Sequence, residues 1–170
     1  LNLNAPNIEM RPGEEYQIPV RTTDLHRIDG FQFTLRLNSA GLELVDIESG
    51  VLSNENFGER LRRRGLLTVS WNRELADELE GEQRLFTLVV RANANGIVRD
   101  YIQLGSHYTA AEAYDRSGDI LNLGMDWIDS VLPDVVLFQN APNPFIDHTF
   151  ISFNLPHEEQ VMLQIHDLQG

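Results

Sequence analysis

The stretch that decides the fold is Asp29-Gly30-Phe31-Gln32-Phe33-Thr34-Leu35-Arg36-Leu37-Asn38. Successive side chains of a β-strand point to opposite faces, so Phe31, Phe33, Leu35 and Leu37 share one face while Gln32, Thr34, Arg36 and Asn38 share the other. The Asp29-Gly30 pair in front of it is a turn signal. The stretch therefore predicts a strand with one buried and one solvated face.

The same period of two extends in both directions. Tyr16, Ile18 and Val20 alternate with Gln17, Pro19 and Arg21. Downstream come Leu42-Glu43-Leu44-Val45-Asp46-Ile47, and then Leu67, Val69 and Trp71 separated by Thr68 and Ser70. Leu85 to Val90 is apolar on both faces, which suits a central strand. Turn residues stand between these runs at Gly50, Asn54 to Gly58, Gly65, Gly81, Asn93 to Gly96 and Ser117-Gly118. Many short strands with turns between them predict an all-β sandwich. Its core is expected from Tyr16, Ile18, Val20, Phe31, Phe33, Leu35, Val69, Trp71, Phe86, Leu88 and Val90. The one helical candidate is Glu74 to Glu82, where Leu75, Ala76 and Leu79 share a face.

The period breaks between Gly124 and Pro133, and no Arg occurs beyond Asp134. These shifts predict a first domain over 1–125, a linker over 126–134 and a second, partial domain over 135–170. In the last, Phe150 to Leu155 and Val161 to Ile165 are expected as strands around a Pro156 to Glu159 turn.

Length and composition bound the function. The chain has 170 residues, room for one full domain and part of another, since domains usually run to about 100–150 residues. Its formal net charge of −13 comes from 26 acidic against 13 basic side chains. Such a surface repels phosphate backbones and anionic lipid, so nucleic acid is not an expected partner. No apolar run approaches the ~20 residues that cross a bilayer. Cysteine is absent, which excludes thiolate catalysis, disulfides and Cys-ligated zinc. The chain opens at Leu1 with neither an initiator Met nor a signal segment, so a processed piece of a longer polypeptide is expected.

Several candidate sites stand against simpler readings. Every basic residue is Arg, and four crowd together as Arg60, Arg62, Arg63 and Arg64. They read either as a solvated turn or as a docking patch for an acidic partner, which guanidinium forks suit. Three consecutive arginines cannot share one strand face, so at least one must point away from the others' target. Asp115 and Asp119 offer oxygens to calcium, but the segment lacks the length and closing Glu of an EF-hand, and a tight hairpin with Gly118 at positive φ explains it. No other cofactor is implied. The acids are scattered, Glu112 and Asp115 included, and the five histidines, His26, His107, His148, His157 and His166, show no ligand spacing, so no enzyme is expected. Trp71 shares the parity of Leu67 and Val69 and turns into the core, which removes it as a sugar-stacking platform. Trp127, in the boundary segment, is the better candidate for an exposed stacking aromatic, against which stands the simpler expectation that it packs between the two domains.

Two stretches resemble known families. Leu137-Phe138-Gln139-Asn140-Ala141-Pro142-Asn143-Pro144-Phe145, then Thr149 to Pro156, then Val161 to Gly170, resemble the opening of the C-terminal sorting domain of type IX secretion cargo. The entry motif is Asn140, Pro142, Asn143, Pro144 and Phe145. Its prolines fix φ and lack N–H donors, so it suits a stiff entry into a sheet and not an interior strand. The resemblance implies a small Ig-like sandwich, here truncated, recognised by the type IX secretion machinery of Bacteroidetes-type cells, with the cargo secreted or attached to the outer-membrane surface.

The second resemblance covers residues 1–125 and is to cohesin-like domains. It rests on Gly13 to Val20, Ile28 to Leu35, Leu52 to Gly58, Leu67 to Asn72, and Ala110 to Asp115 with Ser117 to Leu121. It implies a nine-stranded jelly-roll β-sandwich that binds a protein partner, a dockerin or another surface protein, through a sheet face. The leading expectation is thus a non-catalytic binding or structural module of the cell surface. The rival is a carbohydrate-binding module of a larger glycoside hydrolase, with a polysaccharide as partner.

Overall fold

The computed structural model of the chain describes residues 1–73, 79–129, 136–137, 140, 143–144, 146–151, 153–154 and 161–165. The chain divides into two compact units, Leu1–Asp129 and Ser130–Gly170.

The first unit is a β-sandwich built from β1 (Asn2–Asn7), β2 (Glu9–Met10), β3 (Glu15–Thr22), β4 (Ile28–Leu37), β5 (Leu42–Ser49), β6 (Phe57–Gly58), β7 (Leu66–Asn72), β8 (Gln83–Ala92), β9 (Gly96–Ile97), β10 (Ile102–Gly105), β11 (Glu112–Asp115), β12 (Ile120–Asn122) and β13 (Gly124–Asp129). One sheet has the order β13-β1-β3-β8-β5. The other runs β12-β11-β4-β7-β6, with β10 pairing β4 beside β11. The deciding stretch lies at the centre of the second sheet. Its register sets Phe31, Phe33 and Leu35 opposite Trp71, Val69 and Leu67, so both apolar sets fall on one face.

The two inward faces close a single core. Ile18, Val20, Phe31, Phe33, Leu35, Val69, Trp71, Phe86, Leu88 and Val90 are all buried, and Tyr16 is half-buried against them. Each full burial removes ~1.5–3 kcal/mol of apolar exposure. Phe31 stacks on Trp71 with centroids 5.3 Å apart, and Phe57 meets Phe86 edge-on at 5.2 Å, joining the sheets. β8, apolar on both faces, is interior to its sheet, and even the Thr87 side chain on its outer face is buried.

Two expectations need correction. Asp29-Gly30 is no turn: both residues lie inside β4, and the chain reverses earlier in a 3-10 turn at Leu25–Arg27. Gly30 is there for space, since a Cβ would approach Asn72 Oδ1 to 2.8 Å. The period does not break at Gly124. β13 pairs in parallel with β1 over its whole length, turning Met125 and Trp127 toward the core, while Asn2 and Asn7 donate to Asp126 (2.5 Å) and Asp129 (2.7 Å). Residues 126–129, expected to open a linker, therefore complete the first sandwich, and Trp127 packs half-buried against its core. Most of the helix expected over Glu74 to Glu82 lies outside the described residues, although Leu79 is buried in the core.

In the second unit β14 (Val136–Leu137) and β15 (Phe153–Asn154) form an antiparallel ladder. Val161 to Ile165, expected as a strand, pairs with no strand among the described residues and is exposed along its length. A strand needs a neighbour to satisfy its backbone, and the alternation of Val161, Leu163 and Ile165 does not supply one.

Candidate functional site

The outer faces of the two sheets have opposite chemistry. On the β13-β1-β3-β8-β5 sheet many outward positions are charged, and most of these charges are paired with one another. Arg91 pairs with Glu15 at 2.6 Å, Arg21 with Glu82 at 3.1 Å, Arg84 with Glu48 at 4.0 Å, and Gln17 donates to Glu48 at 3.2 Å. A partner landing there would have to strip water from each pair or break it.

The outer face of the other sheet carries few charges, chiefly Glu112 and, at the end of β4 beyond Thr34, the exposed Arg36. Its register places Ser70, Gln32, Glu112 and Asn122 side by side in one row across β7, β4, β11 and β12. Asn72, Gly30, Tyr114 and Ile120 form the next row, and Thr68 and Thr34 lie opposite each other on the far side of Gln32. Short, uncharged side chains lose little rotamer freedom when covered and cost less to desolvate than ions. Glu112, the one carboxylate in these rows, accepts from Gln32 Nε2 at 2.9 Å and from the Tyr114 hydroxyl. That hydroxyl is held above the ordinary tyrosine ionisation range, first by its bond to Glu112 and then by burial. The loop between β10 and β11 is tied to the face where Thr109 Oγ1 meets Thr34 Oγ1 at 3.0 Å. Tyr108 on this loop and Ile120 on β12 are each 68% exposed. The result is a flat polar centre with apolar side chains at its border, suited to covering by a protein.

Sequence reasoning named Gln32, Thr34, Thr68 and Ser70 only as the polar partners of core residues. The signal that singles them out was present, since outward positions on β3 and β5 are Glu, Gln, Arg and Asp while those on β4 and β7 are mostly Gln, Thr and Ser.

The arginine cluster occupies a 3-10 turn, Glu59–Arg64, closed by Gly65 at φ 72°. Side chains three apart eclipse in this helix, so Glu59 lies with Arg62 and Arg60 with Arg63. Arg62 Nη1 pairs with Glu59 at 2.9 Å, and its Nη2 donates to the carbonyls of Leu44 (2.7 Å) and Val45 (2.9 Å). Those carbonyls belong to a β-bulge on the edge strand β5, where Leu44 and Asp46 pair with consecutive residues of β8. Arg62 is thereby turned inward to cover a strand edge, unlike its neighbours. Arg60, Arg63 and Arg64 are exposed and make no ion pair or side-chain hydrogen bond among the described residues.

Asp115 and Asp119 flank the β11–β12 hairpin. The Asp115 carboxylate accepts the backbone N–H groups of Ser117 (2.8 Å) and Asp119 (2.9 Å), and Gly118 takes φ 82°. This oxygen closes the turn. Among the described residues no three His, Asp or Glu side chains converge as metal ligands would. Of the sorting motif, Asn140 donates to Thr149 Oγ1 at 3.1 Å, and Asn143 and Pro144 are exposed. Pro142 and Phe145 lie outside the described residues.

No family model and no curated protein matches this chain. Solved structures do. The chain is similar to a chain of a type I cohesin–dockerin complex from Clostridium thermocellum, at 14% identity and a TM-score of 0.56, covering 74% of this chain and 88% of that one. A type II cohesin from Bacteroides cellulosolvens aligns with a TM-score of 0.53 at 10% identity, over 74% and 95%. A non-cellulosomal cohesin from the archaeon Archaeoglobus fulgidus aligns with a TM-score of 0.52 at 17% identity, over 73% and 84%. The share covered is close to that of Leu1–Asp129. At these identities the likeness establishes the fold, a cohesin jelly-roll sandwich. No helix among the described residues is long and apolar enough to cross a membrane.

Proposed function

We propose that the first unit is a non-catalytic docking module that binds a protein partner, a dockerin-like domain or another surface protein, across the outer face of β11, β4 and β7. The observation that carries this reading is the contrast between the two sheets: one outer face is laced with paired charges, the other offers Gln32, Ser70, Thr68 and Asn72 around a tyrosine. The cohesin fold supports it, since complexes of that fold with dockerins are among its structural neighbours. The scatter of acids and histidines noted in the sequence agrees with a role without catalysis.

The second unit is proposed to be the opening of a type IX sorting domain, of partial Ig-like form, which routes the module to the outside of the cell and the outer-membrane surface. The motif from Asn140 to Phe145 is the support for this, and the domain boundary is placed after Asp129. Export is tested by expressing the parent protein in cells with and without a working type IX apparatus. Surface labelling confined to the competent cells supports it, and equal labelling in both refutes it.

Docking is tested by calorimetry of the chain against a panel of type I and type II dockerins and dockerin-like domains, with Ser70→Arg as the discriminating variant. A long cation at the centre of the face is expected to weaken binding by about 2–4 kcal/mol. Binding untouched by Ser70→Arg would move the site elsewhere. Saturable binding to a polysaccharide, with none to any protein, would favour the carbohydrate-binding alternative.

A further inference from the structure

A second feature of the first unit lies apart from the sparsely charged sheet face. Beside the Glu59–Arg64 turn is a groove of about 590 Å³. Its lining includes Leu37, Leu42 and Leu44 from the ends of β4 and β5, with Ser39 and Arg63 also on its wall. The volume falls in the range of a ligand or side-chain pocket, roughly 300–1,000 Å³. Among the lining residues Glu43 and Glu59 balance Arg62 and Arg63, but the turn beside the groove carries further cations. Glu59 is neutralised by Arg62 at 2.9 Å, so the turn presents Arg63 on the groove wall and Arg60 and Arg64 beside it, all without partners among the described residues, against one such carboxylate, Glu43. On a chain of net charge −13 this is a local reversal of sign.

We infer that this groove is a separate docking site for an acidic protein segment that inserts one large apolar side chain. The leucines supply the floor for that side chain. Arg60 and Arg63, eclipsed on one ridge of the 3-10 turn, present two guanidiniums to carboxylates flanking it. The open edge of β5 is not the point of attachment, because Arg62 already occupies the Leu44 and Val45 carbonyls. The segment therefore binds through side chains and not by adding a strand. An anionic polysaccharide matches the arginines equally well but has no large apolar side chain for the leucine floor, which favours the peptide.

The test is selection of a displayed library of random dodecapeptides on the full chain. It is followed by affinity measurement on Arg60→Glu/Arg63→Glu, on Ser39→Trp, which fills the groove, and on Ser70→Arg, which alters only the sheet face. Peptides joining Asp or Glu to Leu, Phe or Trp are expected to be enriched. They should bind the double charge reversal and the groove-filling variant about tenfold or more weakly, and Ser70→Arg as tightly as the unaltered chain. The two groove variants are read independently, each after its thermal unfolding is compared with the parent. Enriched peptides that lack acids, that ignore both variants, or that are lost on Ser70→Arg overturn the inference. So does binding of dextran sulfate that depends on Arg60 and Arg63 but not on Ser39→Trp, with no acidic peptide enriched.

Discussion

Arg62 and Arg63 are adjacent and identical in sequence, yet one is a structural clamp and the other a free surface cation. The difference arises from the 3-10 turn, which sets Arg62 over Glu59 and against the bulge of β5. Removing its side chain leaves the Leu44 and Val45 carbonyls to water, and charge-assisted bonds of this kind contribute about 1–2 kcal/mol where solvent can partly replace them. Arg62→Ala is therefore expected to lower the unfolding free energy by that amount in denaturant titration. Arg63→Ala should change it by less than about 0.5 kcal/mol. Equal effects from the two substitutions would show that the clamp does not hold β5. The sequence predicted that the three consecutive arginines would diverge. It did not show which of them turns inward, because that depends on the bulge at Val45, a residue far from the cluster along the chain.

At the scale of elements, alternation is sufficient wherever the facing sheet buries one face of a paired strand, as in β3, β4 and β7, while β8 stands out instead by being apolar on both faces. Alternation fails where the reason for a residue is not burial. Asp29-Gly30 reads as a turn pair in the sequence, but Gly30 is a strand glycine that leaves room for Asn72. The Val161 to Ile165 segment alternates well and pairs with no described strand, since alternation specifies a face and not a partner. The β11–β12 hairpin shows the converse, a short polar segment whose purpose is local. Asp115 closes it by accepting two backbone N–H groups, so Asp115→Asn, which keeps an accepting oxygen, should be close to neutral. Asp115→Ala should cost about 1 kcal/mol. If the aspartates instead held calcium, Asp115→Asn would abolish a calcium-dependent rise in melting temperature. The expected result is that neither calcium nor a chelator shifts the melting curve of the parent chain.

For the whole molecule the sharpest consequence concerns where the first unit ends. A reading based on composition and period places its last residue at 125, because the apolar period breaks between Gly124 and Pro133 and no Arg occurs beyond Asp134. Neither sign reports on β13, whose partner β1 lies at the other end of the sequence and pairs with it in parallel. Such a pairing leaves no local mark, since no hairpin turn joins the two strands. Leu3 and Ala5 of β1 are buried beside Met125 and Trp127 of β13, so the outer edge of this sheet is formed by residues that a boundary after 125 would divide. A chain ending at Asp129 is therefore expected to unfold in one cooperative transition. Ending it at Leu123 removes the whole strand and the half-buried indole, a loss of about 2–4 kcal/mol by comparison with large-to-small core substitutions. It also leaves β1 as a poorly covered edge, open to pairing with another chain. Thermal unfolding followed by near-ultraviolet dichroism, with light scattering to detect association, distinguishes the cases. The shorter chain should melt lower and self-associate, whereas equal melting and a monomeric state in both would mean that β13 is dispensable and that the boundary belongs before it.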